Sequence, residues 1–546
     1  MRYRYLYYLL LLISAFIFRD FTPANELKYI SIADEALQSG TWFTFYNHGE
    51  IYADKPPLFF WLIMLSKLIT GGYHMWLIGL FSLLPSMGIM AMMDRWLRNE
   101  EAKFNPVVAN LMLLTTIMFI GATLVVRMDM LMTFFIVLSL YTFYNIYKDE
   151  HADIEKYLLP VYIFLALFTK GPIGLFIPVV SIIVFLLVKK QIRTIGHYLG
   201  WRQCLIFLGL CVIWFVLVYM EGGREYLHDL LFKQTIGRGI NSFHHKEPFW
   251  FYLPRMLWSF APWSLLFIVL IWRGIHKKMF RSDMEKFFLT IICSSVILLS
   301  VISAKLDIYL LPVYPFVVYL CSILLEKNRN DKGVKISIII PAIIVILILP
   351  TAIILKDKIP DLYSYSAIAY AAVAILAGGG IMALVCVYKN HVHKAIAAIS
   401  CGLLGLVFVG SFAIPKLNYL IGFGEMVRAA EQTASANQTD KYVYYKFYTA
   451  PNMDIYIQKE IEYVSTVESL DSINRLPQTT ILFVRSTEIR REKELGKWLS
   501  GLNAEWSNGQ YSWYLIGKRN YNIGPLVNPT VKTINNNQLN NNSDTQ

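Results

Sequence analysis

Residues 336–355, ISIIIPAIIVILILPTAIIL, run for twenty positions without a charged side chain. One helical crossing of a bilayer takes about 20 mostly apolar residues, so this run is long enough for one. Comparable runs recur near 3–18, 75–93, 106–125, 130–147, 157–169, 171–188, 203–220, 255–272, 287–304, 308–325, 335–355, 367–388 and 396–414. They predict a mainly α, polytopic membrane protein with about 13 transmembrane helices. Only 16% of the 546 residues are charged, where soluble domains carry about 25%, which removes the soluble alternative.

The formal net charge of +12 does not call for a nucleic-acid partner. The basic residues gather in short loops, DRWLRNEEAKF, KKQIR, RGIHKKMFRSDMEK and EKNRNDKGVK. Such loops stay on the cytoplasmic side. With Arg2 and Arg4 also inside, an odd number of spans puts the C-terminal region outside. The N-terminal MRYRYLYYLLLLISAFIF resembles a signal peptide, but no small-residue cleavage site follows, so it reads as an uncleaved first span. Residues 57–70 are apolar, short and preceded by Pro56, and are expected to lie at the membrane interface. TKGPIGLF at 169–176 reads as a break between two short spans. Cys204, Cys211, Cys293, Cys321, Cys386 and Cys401 all fall in apolar runs without metal-ligand spacing and read as packing residues.

Residues 1–414 thus form a transmembrane domain with outer loops at 19–74 and 221–254. Residues 415–526 change character. KYVYYKFYT, TTILFVRS and YSWYLIG are strand-like, and EIRREKELGKWLSGL is helix-like, which predicts a small outer α/β domain. Residues 527–546 are Asn-rich and polar and read as a disordered tail.

The outer loops carry the chemistry. The first holds Glu26, Lys28, Asp34, Glu35, Asp54 and Lys55. VVRMDMLM brings Arg127 and Asp129, and SAKLDIYLLPVYP brings Lys305 and Asp307. KQTIGRGINSFHHKEPFWFYLP brings Arg238, His244 and His245. Ionisable groups at membrane depth usually face a cavity, and clusters on one face imply a shared one. Carboxylates with histidines (Asp54, Glu26, His244, His245) suit a divalent metal or acid–base work, with Zn²⁺ or Mn²⁺ fitting mixed ligands better than Mg²⁺. Lys28, Lys55, Lys305 and Arg238 suit a phosphate. Lys67 and Lys170, each beside a span, read as snorkelling anchors. Pro56 and Pro57 lack N–H groups and fix the backbone after Asp54 and Lys55. The combination points to a phosphorylated, lipid-borne polar substrate.

At these residues the sequence resembles a known family. PANELKYISIADEALQSGTWF, IYADKPPLFFW, RMDMLMTFF, FTKGPIGLFIPVVS, HHKEPFWFYLP, APWSLL and AKLDIYLLPVYP occur in order over most of 1–325. They resemble the bacterial aminoarabinose transferases that modify lipid A (ArnT-like), within the protein O-mannosyltransferase-like membrane glycosyltransferases of GT-C fold. The resemblance implies a sugar donor on undecaprenyl phosphate, transfer at the periplasmic face of the inner membrane, lipid A or another envelope glycolipid as acceptor, and a bound divalent metal. By position, Asp54 is the acidic residue before Lys-Pro and Lys55 the donor-phosphate lysine. Lys28 takes the basic place of the early acidic motif, Asp129 the carboxylate after the third span, and His245 falls in the motif before PFWFY. The family commonly reads Asp-Glu-x-Arg-Tyr where this chain has Asn25-Glu26-Leu27-Lys28-Tyr29.

On this reading Lys55 neutralises the phosphate joining sugar to lipid. Asp54, with Glu26 or His245, holds a metal or orients that phosphate. An acceptor hydroxyl would need Asp129 or Glu26 as base; an acceptor phosphate would need none. Three acceptors therefore stand open: lipid A phosphate, another lipid-linked glycan and a protein hydroxyl. A lipid-linked sugar transporter is the rival of another class, although the repeats typical of transporters are absent from the sequence. A scaffold with a decayed site is the other. The protein is expected to act as a monomer.

Overall fold

The computed structural model describes residues 3–149, 152–236, 247–355 and 366–517. The chain divides into two compact units, Met1–Arg19 with Ile32–Pro415, and Asp20–Ser31 with Lys416–Gln546. The loop read as 19–74 is therefore shared between the two. Arg238, His244 and His245 lie outside the described residues, as does the tail at 527–546.

In the first unit every expected apolar run is helical. Among the described residues, eight helices are long and apolar enough to cross a membrane, and up to 10 if two bent pairs each count as one span. The chain is a multi-pass membrane protein. Arg4–Ile17, Leu58–Thr70 and Ile173–Val188 are apolar but shorter. Asp153–Lys170 is a further helix whose charged residues are Asp153, Glu155, Lys156 and Lys170. The expected break falls at Gly171–Pro172, between Asp153–Lys170 and Ile173–Val188. Gly171 has φ +109, a region closed to most side chains. The six cysteines are free, half of them exposed on the helices.

Two runs expected to be continuous are bent instead. Residues 106–125 fold as Pro106–Leu114 and Ile117–Thr123, at 77° to each other. Residues 255–272 fold as Tyr252–Ser259 and Ser264–His276, at 118°. The breaks meet and satisfy one another. Ile117 N–H donates to the Ala261 carbonyl at 2.9 Å, and the Trp263 indole N–H donates to Thr115 Oγ1 at 2.9 Å. Irregular backbone in a membrane protein survives only where protein groups pair with it in this way. The second half of the first pair leads directly to Arg127 and Asp129, and the first half of the second carries Arg255, so the breaks place charged residues.

A short hairpin, β1 (Tyr46–Asn47) and β2 (Glu50–Ile51), precedes Asp54. Its turn, with His48 and Gly49 at positive φ, is capped by Glu35. That carboxylate accepts from His48 N–H at 2.7 Å and Gly49 N–H at 2.9 Å.

The second unit is built on a mixed five-stranded sheet of β3 (Tyr442–Tyr445), β4 (Ile461–Val464), β5 (Thr480–Arg485), β6 (Ala504–Ser507) and β7 (Tyr511–Ile516), in the order β4-β3-β5-β7-β6. β3 runs parallel to β4 and β5, whereas β7 runs antiparallel to β5 and β6. The three expected strands are β3, β5 and β7. The other two strands, β4 and β6, occupy the edges; β6 is mostly exposed and gave no apolar signal. Val443, Tyr445, Leu482, Val484, Leu495 and Ile516 form part of the core on one face.

Candidate active site

The segment Asp54-Lys55-Pro56-Pro57 is held from behind. Tyr52 N–H donates to the Phe45 carbonyl at 2.9 Å. The Tyr226 hydroxyl donates to the Tyr52 carbonyl at 3.0 Å and accepts from Phe45 N–H at 3.1 Å. Ala53 is buried with Phe164, Phe168, Trp214 and Val218. Asp54 and Lys55 are half-buried between buried Ala53 and buried Pro56 and Pro57, which lead into Leu58–Thr70. Backbone on both sides is thus fixed, while the two charged side chains keep partial access to solvent.

Glu221 fixes the other wall of this loop and was not foreseen from sequence. Its carboxylate accepts from Trp42 N–H at 2.7 Å, Phe43 N–H at 2.7 Å and Thr44 N–H at 2.6 Å, and from Thr44 Oγ1 at 2.8 Å. The one available cue was a carboxylate closing an apolar run just before Gly222-Gly223. Glu221→Ala strands these donors. It is expected to lower stability by about 1.5–3 kcal/mol, the range for hydrogen bonds to a charged group. Unfolding of the purified variant in detergent checks this; an unchanged midpoint would mean that water replaces the carboxylate.

Asp129 opens the helix Asp129–Lys148 and is buried. Arg127 Nε donates to its Oδ2 at 3.1 Å, and Lys170 Nζ pairs with its Oδ1. Lys170 also lies 4.7 Å from the Tyr309 ring centroid, close enough for a cation–π contact. Lys170 therefore does not snorkel. Its side chain is 8% exposed, and it joins the end of the helix Asp153–Lys170 to the start of the helix Asp129–Lys148. Lys67 does not snorkel either. It pairs with Asp34, which also accepts from the Tyr73 hydroxyl at 2.8 Å.

Lys305 is buried, and its ammonium donates to the Glu247 carbonyl at 2.9 Å. Two residues on, Asp307 accepts from Arg255 at 3.3 Å through Oδ2. Its other oxygen is buried with no hydrogen-bond partner among the described residues. The connection between Asp283–Val301 and Asp307–Val313 thus pins both 247 and 255. Arg127, Asp129, Lys170, Tyr309, Asp307 and Arg255 are joined by these contacts and their own backbone into one polar patch at the helix ends. Three of its six members are cations and two are carboxylates, a net charge of +1, and an excess of positive charge suits an anionic substrate group.

Glu26 and Lys28 belong to the other unit. Glu26 is buried in the turn Pro23–Leu27, and its Oε2 accepts from Thr22 N–H at 2.9 Å and Thr22 Oγ1 at 3.0 Å. This is one half of a capping box: the Glu26 side chain reaches back to the N-cap backbone N–H. Asn25 is exposed and Lys28 partly so. Among the described residues no three His, Cys, Asp or Glu side chains form a metal-holding group. His244 and His245 of the ligand set expected from sequence lie outside the described residues, and no step is routed through a metal.

Residues 54–218 match the family model of dolichyl-phosphate-mannose-protein mannosyltransferases, a match that begins at Asp54 and takes in Asp129 and Lys170. An uncharacterised protein of Aquifex aeolicus is 27% identical over 320 residues, 58% of this chain and 62% of its own length. The undecaprenyl phosphate-α-4-amino-4-deoxy-L-arabinose arabinosyl transferase of Wigglesworthia glossinidia brevipalpis is 29% identical over 333 residues, 58% of this chain and 56% of its own. The chain thus spans about three-fifths of the length of these relatives. The same-named transferase of Yersinia pestis is 23% identical over 409 residues, 72% of each chain.

The fold is shared with a solved membrane protein: the crystal structure of ArnT from Cupriavidus metallidurans bound to undecaprenyl phosphate superposes with a TM-score of 0.76 at 16% identity, over 95% of this chain and 98% of that one. The apo form of that protein gives 0.72 over 93% and 96%. The ArnT-like resemblance read from the motifs is borne out.

Proposed function

We propose that this chain is a glycosyltransferase that moves a sugar from undecaprenyl phosphate to lipid A or a related envelope glycolipid. The reaction takes place at the periplasmic face of the inner membrane, with the N-terminus in the cytoplasm and the C-terminal unit in the periplasm. The observation that carries this reading is the polar patch around Asp129 and Lys170, with cations in excess of carboxylates, set at helix ends in a fold shared with a protein crystallised with undecaprenyl phosphate. The acceptor oxygen attacks the anomeric carbon, the bond from that carbon to the donor phosphate breaks, and undecaprenyl phosphate leaves. Lys55 offsets the charge that grows on the leaving phosphate. Positioning and charge stabilisation supply most of the acceleration in reactions of this kind.

The mannosyltransferase match over 54–218 favours a second reading, a protein hydroxyl as acceptor. A hydroxyl needs a base. Both oxygens of Asp129 accept from cations and Oε2 of Glu26 accepts from Thr22, so these lone pairs are already engaged and are poorly placed to take a proton from an acceptor. An acceptor phosphate needs no base and fits better. Purified protein with a labelled undecaprenyl-phosphate sugar and lipid A is expected to release undecaprenyl phosphate and label lipid A. Mass spectrometry of lipid A from a deletion strain should show the loss of one sugar-sized increment. Label appearing on protein with lipid A unchanged would select the second reading, and no release from any donor would refute both.

A further inference from the structure

We propose that residues 189–202 and the outer stripe of the helix Trp201–His228 form a binding site for an anionic phospholipid, on the membrane face opposite the candidate active site. Residues 171–220 contain no Asp or Glu, and their five basic side chains, Lys189, Lys190, Arg193, His197 and Arg202, all fall within this short segment. Helix length sets the face. Ile173–Val188 begins beside Lys170 of the polar patch, and its 16 residues carry the chain about 24 Å away at 1.5 Å per residue.

The segment is held from the bundle side. Lys189 Nζ donates to Asp283 Oδ1 at 2.8 Å, and the buried Tyr198 ring packs on Phe143 with centroids 5.0 Å apart. Thr194 Oγ1 donates to the Gln191 carbonyl at 2.8 Å. Lys190, Arg193 and Arg202 are exposed, and among the described residues no carboxylate pairs with them. Three cations thus stand at one membrane boundary with no acid to offset them, which suits the phosphate of a lipid headgroup. Arg202 lies 5.4 Å from the ring centroid of Trp201, itself exposed. A cation beside a Trp is a pairing suited to the headgroup level of a bilayer.

The apolar half of the site continues along the helix. Trp201, Leu205, Leu208, Val212, Val216 and Tyr219 follow at spacings of three and four, so they line one face. All six are between 49% and 69% exposed. Cys211, Trp214 and Val218, on the other side, are buried with Phe164 and Phe168. From Trp201 to Tyr219 the rise is about 27 Å, close to the ~30 Å of a hydrocarbon core. Cations at one end and an apolar track along the rest match a phospholipid; a free phosphate would leave the track unused. The same helix carries Glu221 and Tyr226, whose bonds hold the loop before Asp54. A lipid on its outer face therefore seats the helix that backs the candidate active site.

The test is native mass spectrometry of the full chain in detergent, titrated with phosphatidylglycerol or with phosphatidylcholine of the same acyl chains. Each cation near the headgroup strengthens binding of the anionic lipid about fivefold, so three give the wild type a preference of about 100-fold. Arg193→Gln/Arg202→Gln should keep only about fivefold, with phosphatidylcholine binding unchanged. Lys277→Gln/Lys278→Gln removes the same charge from another exposed loop, the one leading to Asp283, and should keep the full preference. All four side chains are exposed, so the fold is expected to hold. Lys190→Gln alone is the milder check, with about a fivefold loss. Phosphatidylglycerol should also raise the unfolding midpoint of the wild type more than phosphatidylcholine does, and should lose that advantage in Arg193→Gln/Arg202→Gln. Equal wild-type affinity for the two lipids overturns the site. So does an equal loss in the two double variants, which would mean a diffuse field. A dimer that excludes added lipid would give the stripe to a second copy, and displacement of the lipid by millimolar inorganic phosphate would give the cations to a free anion; either result overturns the lipid site.

Discussion

Lys170→Met is expected to cost about 3 kcal/mol of stability, within the range seen when one partner of a buried ion pair is removed. The side chains of Asp129 and Lys170 are 1% and 8% exposed, and that of Arg127 is 30% exposed. Once Lys170 is gone, Asp129 keeps one partner that is itself partly in water, and its own desolvation is no longer offset. Asp129→Asn should cost less, because the amide can still accept from Arg127. The double variant Asp129→Asn/Lys170→Met should recover much of the single loss, since it buries no lone carboxylate. Unfolding of wild type, both singles and the double in one detergent gives the coupling energy. A coupling near zero would return Lys170 to the role of a membrane anchor.

Why the sequence hid this pair is a matter of distance along the chain. Asp129 is legible: a carboxylate opening an apolar run is costly and needs a reason. Lys170 sits 41 positions later, at the end of another apolar run, where snorkelling is the ordinary explanation. Only the antiparallel return of Asp153–Lys170 beside Asp129–Lys148 brings the two charges together. Lys67 and Asp34 repeat the lesson. The break at Gly171–Pro172, by contrast, was readable because its cause is local.

The two bent spans were not readable. Thr115-Thr116 and Phe260-Ala261-Pro262 would each pass inside a straight helix, and what stabilises the bends is the exchange of hydrogen bonds between them. Glu26 reads in the sequence as a chemical carboxylate, and the structure adds a partner for it, Thr22 four positions earlier. Asp54 and Lys55 were marked by local features alone, two prolines and an apolar run, and the structure adds the hairpin and Tyr226 behind them.

Lys55→Ala is expected to lower the rate of transfer by about 10²–10³, the usual loss when one fixed stabiliser of developing charge is removed. Stability should barely change, because Lys55 is half-buried and Pro56 and Pro57 fix the backbone whatever side chain precedes them. The ammonium is needed most when the sugar–phosphate bond is breaking and negative charge gathers on the phosphate. The loss should therefore fall more on kcat than on KM, as for an interaction that strengthens in the transition state. Lys55→Arg keeps the charge but spreads it over a planar fork, so it should retain part of the rate. Binding of undecaprenyl phosphate alone, the leaving group with its full charge, should weaken in Lys55→Ala as well. Lys67→Met is a comparison of another kind: it strands Asp34 and should lower the unfolding midpoint, with little effect on rate in the protein that stays folded. Equal rate losses in Lys55→Ala and Lys67→Met, with undecaprenyl phosphate binding unchanged in both, would reduce Lys55 to a boundary anchor. The phosphate would then have to be met by the cations around Asp129 instead.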